Sequence, residues 1–311
     1  MRKDIKQILL AVDGSNQAMD VVRYVSAFFP PMHTEVVLFH VAAEVPEPFL
    51  DLGRNRDLGA DMLPVNAWSR RVKQDIDEFM EQGSNVLIRT GFPKERIVLK
   101  AQRRKIGIAR DILKEVGQGY DAVVVGRSGV SDLKNVVVGS VAHKLVSKIH
   151  AVPIAVVGGN PDPQKILIGF DGSEGSMRGV DFVCSMLPGK ERVITLCLLV
   201  RSLGIHSGPE LIFSVEHETA WLRSISSRIE PSFPEAESRL IEAGFHPDRV
   251  YIRILENIKS RAESLRSVAE TGGFGTIVVG RRGRSVVTEF TMGRVSRKVL
   301  HMGDEKAVWI V

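Results

Sequence analysis

Three glycines and a serine near the middle of the chain have the spacing of a phosphate-binding loop. The apolar run Ala122–Val125 predicts a buried parallel strand, followed by Gly126 and Gly129. After nine further residues, Gly139 and Ser140 precede a helical pattern. Glycine lets a loop present its N–H groups without an intervening Cβ, and the first turn of a helix carries N–H donors that have no partner within the helix. This strand, loop and helix N-terminus, with Ser140 as the N-cap residue, would suit a phosphate group.

The same residues have a second interpretation as an ordinary turn between a strand and a helix. Any one of the glycines could serve only to relieve backbone strain there. The complete spacing therefore carries the prediction. Arg127 lies between the first two glycines, and its side chain is expected either over the phosphates or in solvent.

The chain repeats itself once. Lys165–Ser173 repeats Gln7–Ser15 at an offset of 158 residues, and Thr276–Gly283 repeats Ala122–Gly129 at an offset of 154. Such a period indicates a duplicated domain, because solenoid repeats have roughly 20–50 residues. The Gly- and Pro-rich segment Gly158–Pro163 predicts a linker, which divides the chain into domains 1–159 and 160–311. Strand and helix patterns alternate in each domain, which predicts an α/β fold with a parallel sheet between helices.

The spacing Gly126-x2-Gly129-x9-Gly139-Ser140 resembles the nucleotide-binding signature of the ATP-binding branch of the universal stress protein family. Gln7–Ser15 resembles the first strand of that family, and the repeat extends the resemblance over nearly the whole chain. It implies two open, mostly parallel five-stranded sheets of the Rossmann-like type with strand order 3-2-1-4-5. The two sheets would be related by a pseudo-two-fold axis, with their terminal strands paired edge to edge.

The resemblance also implies where a nucleotide would bind. With that strand order the ligand lies beyond the carboxyl ends of the first and fourth strands, where Asp13 and Gly126 are expected to face one crevice. Asp13 would accept a hydrogen bond from a ribose hydroxyl or hold a Mg²⁺ ion that bridges phosphates, although an Asx turn is the alternative. The backbone of Val41 would contact adenine, and Val141 would join Ser140 at the phosphates.

The second domain keeps most of this pattern. Its equivalents of the first-strand aspartate and the loop glycines are Asp171, Gly280, Gly283 and Gly293. Arg294, however, stands where the first domain has Ser140. Two interpretations follow, an altered anion or nucleotide site that uses the guanidinium, or a lapsed site. We expect the second domain to bind ATP more weakly than the first.

Composition restricts the partners. The 311 residues include 42 Lys and Arg against 37 Asp and Glu, and no basic cluster is interleaved with aromatic residues, so we expect no specific nucleic-acid partner. No apolar run approaches the roughly 20 residues of a membrane span. Cys184 and Cys197 have the surroundings of small core residues, which favours a reducing, cytoplasmic location.

Three functions are compatible with these patterns. The sequence contains no G-x-x-x-x-G-K-[ST] loop, no G-x-S-x-G elbow and no cluster of metal ligands. The leading hypothesis is a stress-response protein that binds ATP with Mg²⁺ as a regulatory signal, with at most slow hydrolysis. The alternatives are a Mg²⁺-dependent nucleotide hydrolase or phosphotransferase, and a scaffold for an unknown protein partner with vestigial nucleotide sites. The two domains would form a pseudo-dimer within one chain, and a further homodimer stays open.

Overall fold

The computed structural model describes residues 5–42, 62–128, 138–187, 191–202, 215–283, 292–302 and 305–311. The first half of the chain contains, in order, β1 (Lys6–Val12), α1 (Asn16–Phe28), β2 (Thr34–Ala42), α2 (Met62–Arg89), β3 (Ile97–Arg103), α3 (Ile108–Val116), β4 (Ala122–Gly126), α4 (Ser140–Lys148) and β5 (Ile154–Val157). The second half contains β6 (Lys165–Gly169), α5 (Glu174–Met186), β7 (Val193–Arg201), α6 (Val215–Ile229), α7 (Phe233–Glu242), β8 (Val250–Ile258), α8 (Arg261–Thr271), β9 (Thr276–Val279), α9 (Arg294–Met302) and β10 (Ala307–Ile310).

The strands form one sheet in the order β3-β2-β1-β4-β5-β10-β9-β6-β7-β8. Each half therefore has the expected order 3-2-1-4-5, and its neighbouring strands are parallel. The two five-stranded sheets are continuous, because β5 and β10 pair antiparallel and join them into a single sheet of ten strands. The pairing of the terminal strands, which the resemblance implied, is confirmed. The predicted division after residue 159 falls in the connection between β5 and β6 and stays a prediction.

The long helix of the first half begins earlier than the sequence suggested. The pattern predicts a helix from Trp68 to about Leu87, whereas α2 spans Met62–Arg89. Pro64 lies in its first turn, where proline is tolerated because the N–H of that turn has no helical partner. Residues 43–61 of the predicted loop lie outside the described residues. Within the described part of the chain, no helix combines the length and the apolar character needed to cross a bilayer.

The hydrophobic core continues through the junction of the two halves. Trp309 of β10 is fully buried opposite Ala155 of β5, whose small side chain leaves room for the indole. Its ring centroid lies 4.6 Å from that of Phe182 and 5.6 Å from that of Phe28. Since Phe28 belongs to α1 and Phe182 to α5, helices of both halves pack on one tryptophan. Apolar surface that a separate half would expose is thus removed from water.

A buried polar group also crosses the junction. Trp309 donates from Nε1 to the hydroxyl oxygen of Tyr24 over 2.9 Å, and that hydroxyl lies 3.1 Å from the hydroxyl of Thr276. All three residues are at most 1% exposed. Burial raises the pKa of the Tyr24 hydroxyl above its usual value, so it is neutral at physiological pH. The Tyr24 hydroxyl of α1 in the first half is therefore hydrogen-bonded to side chains of β9 and β10 in the second half.

We predict that Tyr24→Phe lowers the free energy of unfolding by about 1–3 kcal/mol, because it leaves the buried indole N–H of Trp309 without an acceptor. The control is Tyr251→Phe, the same chemical change at a side chain on the edge strand β8 that is 52% exposed. The control should shift stability by less than about 0.5 kcal/mol. Urea unfolding followed by tryptophan fluorescence measures both, and equal shifts in the two variants would contradict the assignment.

Candidate functional site

The parallel register brings the predicted site residues of the first half to one edge of the sheet. β1 lies between β2 and β4, with Val12 paired to His40 and the preceding residue Ala11 paired to Val125. Asp13, Val41 and Gly126 each follow one of these paired residues. Their backbones therefore lie side by side at the carboxyl ends of three adjacent strands, at the point where the strand order reverses.

Asp13 adopts the Asx turn that the sequence left as an alternative. Its Oδ1 accepts hydrogen bonds from the backbone N of Ser15 over 3.1 Å and from the Ser15 hydroxyl over 2.6 Å. Gly14 between them has φ +83°, a conformation that glycine adopts without strain. Among the described residues, Oδ2 of Asp13 accepts no hydrogen bond. The turn therefore orients the carboxylate and leaves one of its oxygens for another contact.

Ser140 is the first residue of α4, and Gly139 is its N-cap, which corrects the predicted cap position. Gly139 has φ −56° and ψ 155°, and no side chain caps the helix. Its own N–H donates to the carbonyl of Arg127 over 2.7 Å and so closes the loop onto the end of β4. The following N–H groups of the first turn have no partner within the helix. They point out of a helix end that carries partial positive charge.

The structure constrains the remaining residues of the first-half signature less than it constrains Asp13 and Gly139. A Cβ added to Gly126 would lie 3.4 Å from the carbonyl oxygen of Ser128, an ordinary contact, so the described neighbours do not require a glycine there. Val141 is the second residue of α4, and its side chain packs against the core, which leaves its backbone for the crevice. Gly129 lies outside the described residues.

The side chain of Arg127 takes neither of the two positions that the sequence suggested. It is 7% exposed, and it donates to the carbonyl oxygens of Leu300 over 2.7 Å and His301 over 2.6 Å. These carbonyls belong to the last turn of α9 in the second half. No N–H group of the helix donates to them, and they carry partial negative charge. A buried guanidinium requires such acceptors. Only the backbone of Arg127 remains at the loop.

Two arginines of the second half reach the first half in the same way. Arg281, the repeat equivalent of Arg127, donates to the carbonyl of Val146 in the last turns of α4 over 2.8 Å. Arg192 donates to the carbonyls of Ala27 and Phe28 at the end of α1 over 3.0 and 2.7 Å. Each guanidinium therefore contacts carbonyls at the C-terminal end of a helix of the opposite half. These contacts bind the two halves together at both faces of the sheet.

A pair of histidines lies at the same junction. The rings of His143 on α4 and His301 on α9 have centroids 6.3 Å apart. Burial lowers the pKa of His301, and the nearby His143, Arg127 and Arg297 lower it further because they disfavour another positive charge. His301 is therefore neutral at neutral pH, which suits a junction that already contains buried guanidinium groups.

The second half brings its own predicted residues together. Oδ1 of Asp171 accepts from the backbone N of Ser173 over 3.0 Å, as in the first half. A Cβ added to Gly283 would lie 2.6 Å from Oδ2 of Asp171, so the loop lies directly against this carboxylate. A Cβ on Gly280 would lie 2.5 Å from the backbone carbonyl of Gly175 in the first turn of α5. Glycine is therefore required at Gly280, where the neighbour is backbone, whereas a side chain at Gly283 would have to displace the carboxylate of Asp171.

Arg294 and Gly293 repeat the first-half arrangement at the start of α9. Gly293 donates from its N–H to the carbonyl of Arg281 over 2.8 Å, and Arg294 is the exposed first residue of the helix. Ser296, two residues later, is buried and donates from its hydroxyl to the carbonyl of Gly280 over 2.7 Å. The second loop is therefore held by a side-chain bond that Ala142, its first-half equivalent, cannot make.

The two cysteines behave as core residues. Burial raises the pKa of the Cys184 thiol to about 11 and that of Cys197 to about 12. Neither is therefore a reactive thiolate at neutral pH. Within the described ranges, His, Cys, Asp and Glu side chains form no group of three or more that could hold a metal ion.

Comparison with known proteins matches this fold and motif arrangement. The sequence model described as the universal stress protein family matches residues 4–158 and 163–304. The chain belongs to the universal stress protein family. It is 27% identical over 208 residues to the universal stress protein Rv2005c of Mycobacterium tuberculosis, a match that covers 60% of this chain and 60% of that relative. It is 26% identical over 165 residues to the universal stress protein MJ0577 of Methanocaldococcus jannaschii, with 49% and 94% covered.

Solved structures of this family share the architecture over the whole chain. A universal stress protein from Archaeoglobus fulgidus superposes with a TM-score of 0.56 at 18% identity, covering 98% of this chain and 95% of that one. A protein from Pseudomonas aeruginosa described as a universal stress protein superposes with a TM-score of 0.53 at 14% identity, covering 100% and 94%. At these identities the similarity establishes the fold.

Sequence reasoning assigned no role to three residues, one at the junction and an equivalent pair at the starts of two helices. They are Ile108 and Arg261, which begin α3 and α8, and Arg192, which precedes β7. An alignment of the two halves would have shown that the apolar Ile108 of the first half is replaced by the charged Arg261 in the second. Arg192 gave no such signal, because its partners are backbone carbonyls.

We predict that Arg127→Met lowers the free energy of unfolding by at least about 1.5 kcal/mol, because two charge-assisted bonds across the junction are lost. Met retains much of the apolar volume of the buried stem. Arg281→Met should cost less, since Arg281 makes one such bond and its Nη2 has no partner among the described residues.

The control for these variants is Arg110→Met, the same change at an exposed position of α3. It should alter stability by less than about 0.5 kcal/mol. Chemical unfolding should show the largest loss of stability for Arg127→Met, a smaller loss for Arg281→Met and the smallest for Arg110→Met. A ranking in which Arg110→Met costs as much as Arg127→Met would show that the contacts between the halves contribute no stability.

Proposed function

We propose that the first half binds ATP, or a related adenine nucleotide, together with Mg²⁺ as a stress-response signal with little or no turnover. One observation carries the proposal. The uncapped N-terminus of α4 is bonded to the end of β4 through Gly139 and Arg127, and the oriented carboxylate of Asp13 follows β1, the neighbour of β4 at the reversal point of the strand order. A helix N-terminus favours a phosphate, and a carboxylate favours a hydroxyl or a cation. A nucleotide with its bound Mg²⁺ offers all of these groups.

The phosphates would contact the backbone of the loop and of the first turn of α4. The N–H of Gly139 is already bound to the carbonyl of Arg127, so the donors that remain are the N–H groups of Ser140, Val141 and Ala142, with the Ser140 hydroxyl. The side chain of Arg127 is occupied across the junction and contributes no guanidinium to the phosphates. Backbone N–H groups and one hydroxyl therefore carry the anion recognition.

Asp13 and the phosphates together would hold Mg²⁺. This ion is commonly bound by one or two carboxylates, by phosphate oxygens and by water, and not by a cage of protein ligands. The single carboxylate with one free oxygen therefore fits a cation that arrives with the nucleotide. A carboxylate engaged by Ser15 and by a cation is a poor general base, which supports slow turnover at most.

The adenine would lie over the carboxyl end of β2, against the backbone of Val41, as the family resemblance implies. Family membership, together with the resemblance of the glycine spacing to the family's nucleotide-binding signature, supports an adenine nucleotide as the ligand. The protein partner that reads this signal and the cytoplasmic location stay predictions. The pairing of the two halves through β5 and β10 fits the pseudo-dimer that the sequence predicts within one chain, and a further homodimer also stays a prediction.

The direct test is mass spectrometry of small molecules released by denaturing the purified full chain, together with equilibrium dialysis of ATP with and without Mg²⁺. We expect an adenine nucleotide in the released fraction and tighter dialysis binding with Mg²⁺. Turnover on the timescale of enzymes would favour the hydrolase instead. No released nucleotide and no binding would favour the scaffold.

We predict that Ser140→Pro weakens ATP binding by about 10-fold or more, because proline removes both the backbone N–H and the hydroxyl of this residue, and one hydrogen bond to a charged group contributes roughly 1.5–3 kcal/mol. Proline is accepted at the first helical residue, and the extended conformation of Gly139 suits a residue that precedes proline. Ser140→Ala, which removes only the hydroxyl, should weaken binding less.

The matched control is Glu174→Pro at the first residue of α5, where Ser173 has a similar conformation with φ −80° and ψ 160°. It should bind ATP as the wild type does. Unchanged affinity in Ser140→Pro, with folding verified by circular dichroism, would show that the start of α4 does not hold the phosphates.

A further inference from the structure

The crevice of the second half contains an arginine that the first half lacks. Arg261, the first residue of α8, donates from Nε to the backbone carbonyl of Leu199 near the end of β7 over 3.0 Å. Strand register shows which first-half residue corresponds to Leu199. Ile166 pairs with Ile194 in the second half as Ile8 pairs with Val36 in the first, and counting five residues along each strand aligns Leu199 with Val41.

Charged side chains near the ends of β6 and β7 also interact electrostatically with the guanidinium of Arg261. Partial burial lowers its pKa, the carboxylate of Asp171 raises it, and the guanidinium of Arg201 lowers it. Asp171 is the repeat equivalent of Asp13. Arg261 is therefore attracted to the carboxylate that follows β6 and hydrogen-bonded to a carbonyl near the end of β7. The hydrogen bond places it at Leu199, the second-half equivalent of Val41, and the attraction acts toward the equivalent of Asp13.

The first half has Ile108 at this position. The two helices begin in the same way, since Asp111 N donates to the carbonyl of Gly107 and Ser264 N donates to the carbonyl of Ser260. Ile108 and Arg261 each follow these carbonyl-bearing residues directly. Ile108 is 37% exposed and offers an apolar surface without any donor to the carbonyl of Val41.

We infer that the residue at this position decides which half accepts the adenine base, with Arg261 closing the second half and Ile108 leaving the first half open. The inference rests on the proposed function and extends it from the phosphates to the base. It assigns the asymmetry between the halves to Arg261, whereas the sequence placed it at Arg294.

The physical reason lies in the match of donors and acceptors. The amino group of adenine is a donor and needs an acceptor such as a strand-end carbonyl. A guanidinium has five donors and no acceptor, so it takes up that carbonyl and cannot bind the amino group in its place. Entry of the base would have to break a charge-assisted bond and move Arg261 away from Asp171. Arg294, by contrast, is exposed and can turn into solvent.

An exchange of the two residues tests the inference in the full chain, with ATP and Mg²⁺ as the probe and binding stoichiometry from equilibrium dialysis as the readout. The wild type should bind one ATP per chain. Arg261→Ile should bind two, Ile108→Arg should lose binding at least tenfold, and the double exchange should again bind one. Photo-crosslinking with 8-azido-ATP should move from first-half to second-half peptides in the double exchange.

The matched control is Arg266→Ile, which removes an exposed arginine of the same helix whose partner is Glu270. It should leave one ATP bound. If Arg261→Ile still binds one, or if Arg294→Ser and not Arg261→Ile raises the stoichiometry, this inference is overturned and the proposed function stands. If the wild type binds two, the inference is overturned as well. If neither the wild type nor Arg261→Ile binds ATP, the proposed function itself fails.

Discussion

The antiparallel pairing of β5 with β10 is the contact on which the remaining structure depends. Both strands are fully buried and apolar on both faces, so neither could lie at a sheet edge without exposing apolar side chains and unpaired backbone groups. Pairing them removes both edges at once. The aromatic cluster around Trp309 and the hydroxyl of Tyr24 then complete a core that belongs to both halves.

At the same junction, an arginine of each glycine loop is hydrogen-bonded to a helix of the opposite half. The N-terminus of α4 faces the proposed phosphate site, and its C-terminal turns accept a hydrogen bond from Arg281 of the other loop. Helix α9 is held in the same way by Arg127. Each loop therefore positions the terminal helix of the other half. The site of the first half depends on the presence of the second half even if only the first half binds a nucleotide.

Much of the fold was readable from the sequence because it depends on local pattern. The apolar runs Ile8–Val12 and Ala122–Val125 predicted buried strands, and the two Asp-Gly-Ser turns revealed the duplication. The strand order came from family resemblance and is confirmed within each half. The pairing of β5 with β10, which joins the two sheets, also came from family resemblance, since a strand's pattern does not show whether its neighbour comes from the same half.

The errors at the site have a common physical origin. The partner of Arg127 is a carbonyl 173 residues away, and a backbone carbonyl leaves no mark in the sequence. The bond of Arg261 to Leu199 was missed for the same reason. Ser140 was taken as the N-cap because its hydroxyl suits one, whereas the bond from the N–H of Gly139 to the carbonyl of Arg127 places the N-cap at Gly139, so the helix begins one residue earlier than predicted.

The central claim is that one of two similar crevices presents its helix N-terminus to a phosphate. Hydrogen–deuterium exchange of the full chain, with and without ATP and Mg²⁺, tests it at the backbone amides concerned. The account predicts slower exchange at the amides of Ser140, Val141 and Ala142 on addition of nucleotide. It predicts no change at the equivalent amides of Arg294, Val295 and Ser296. Equal protection at both helix starts, or protection at α9 alone, would contradict it.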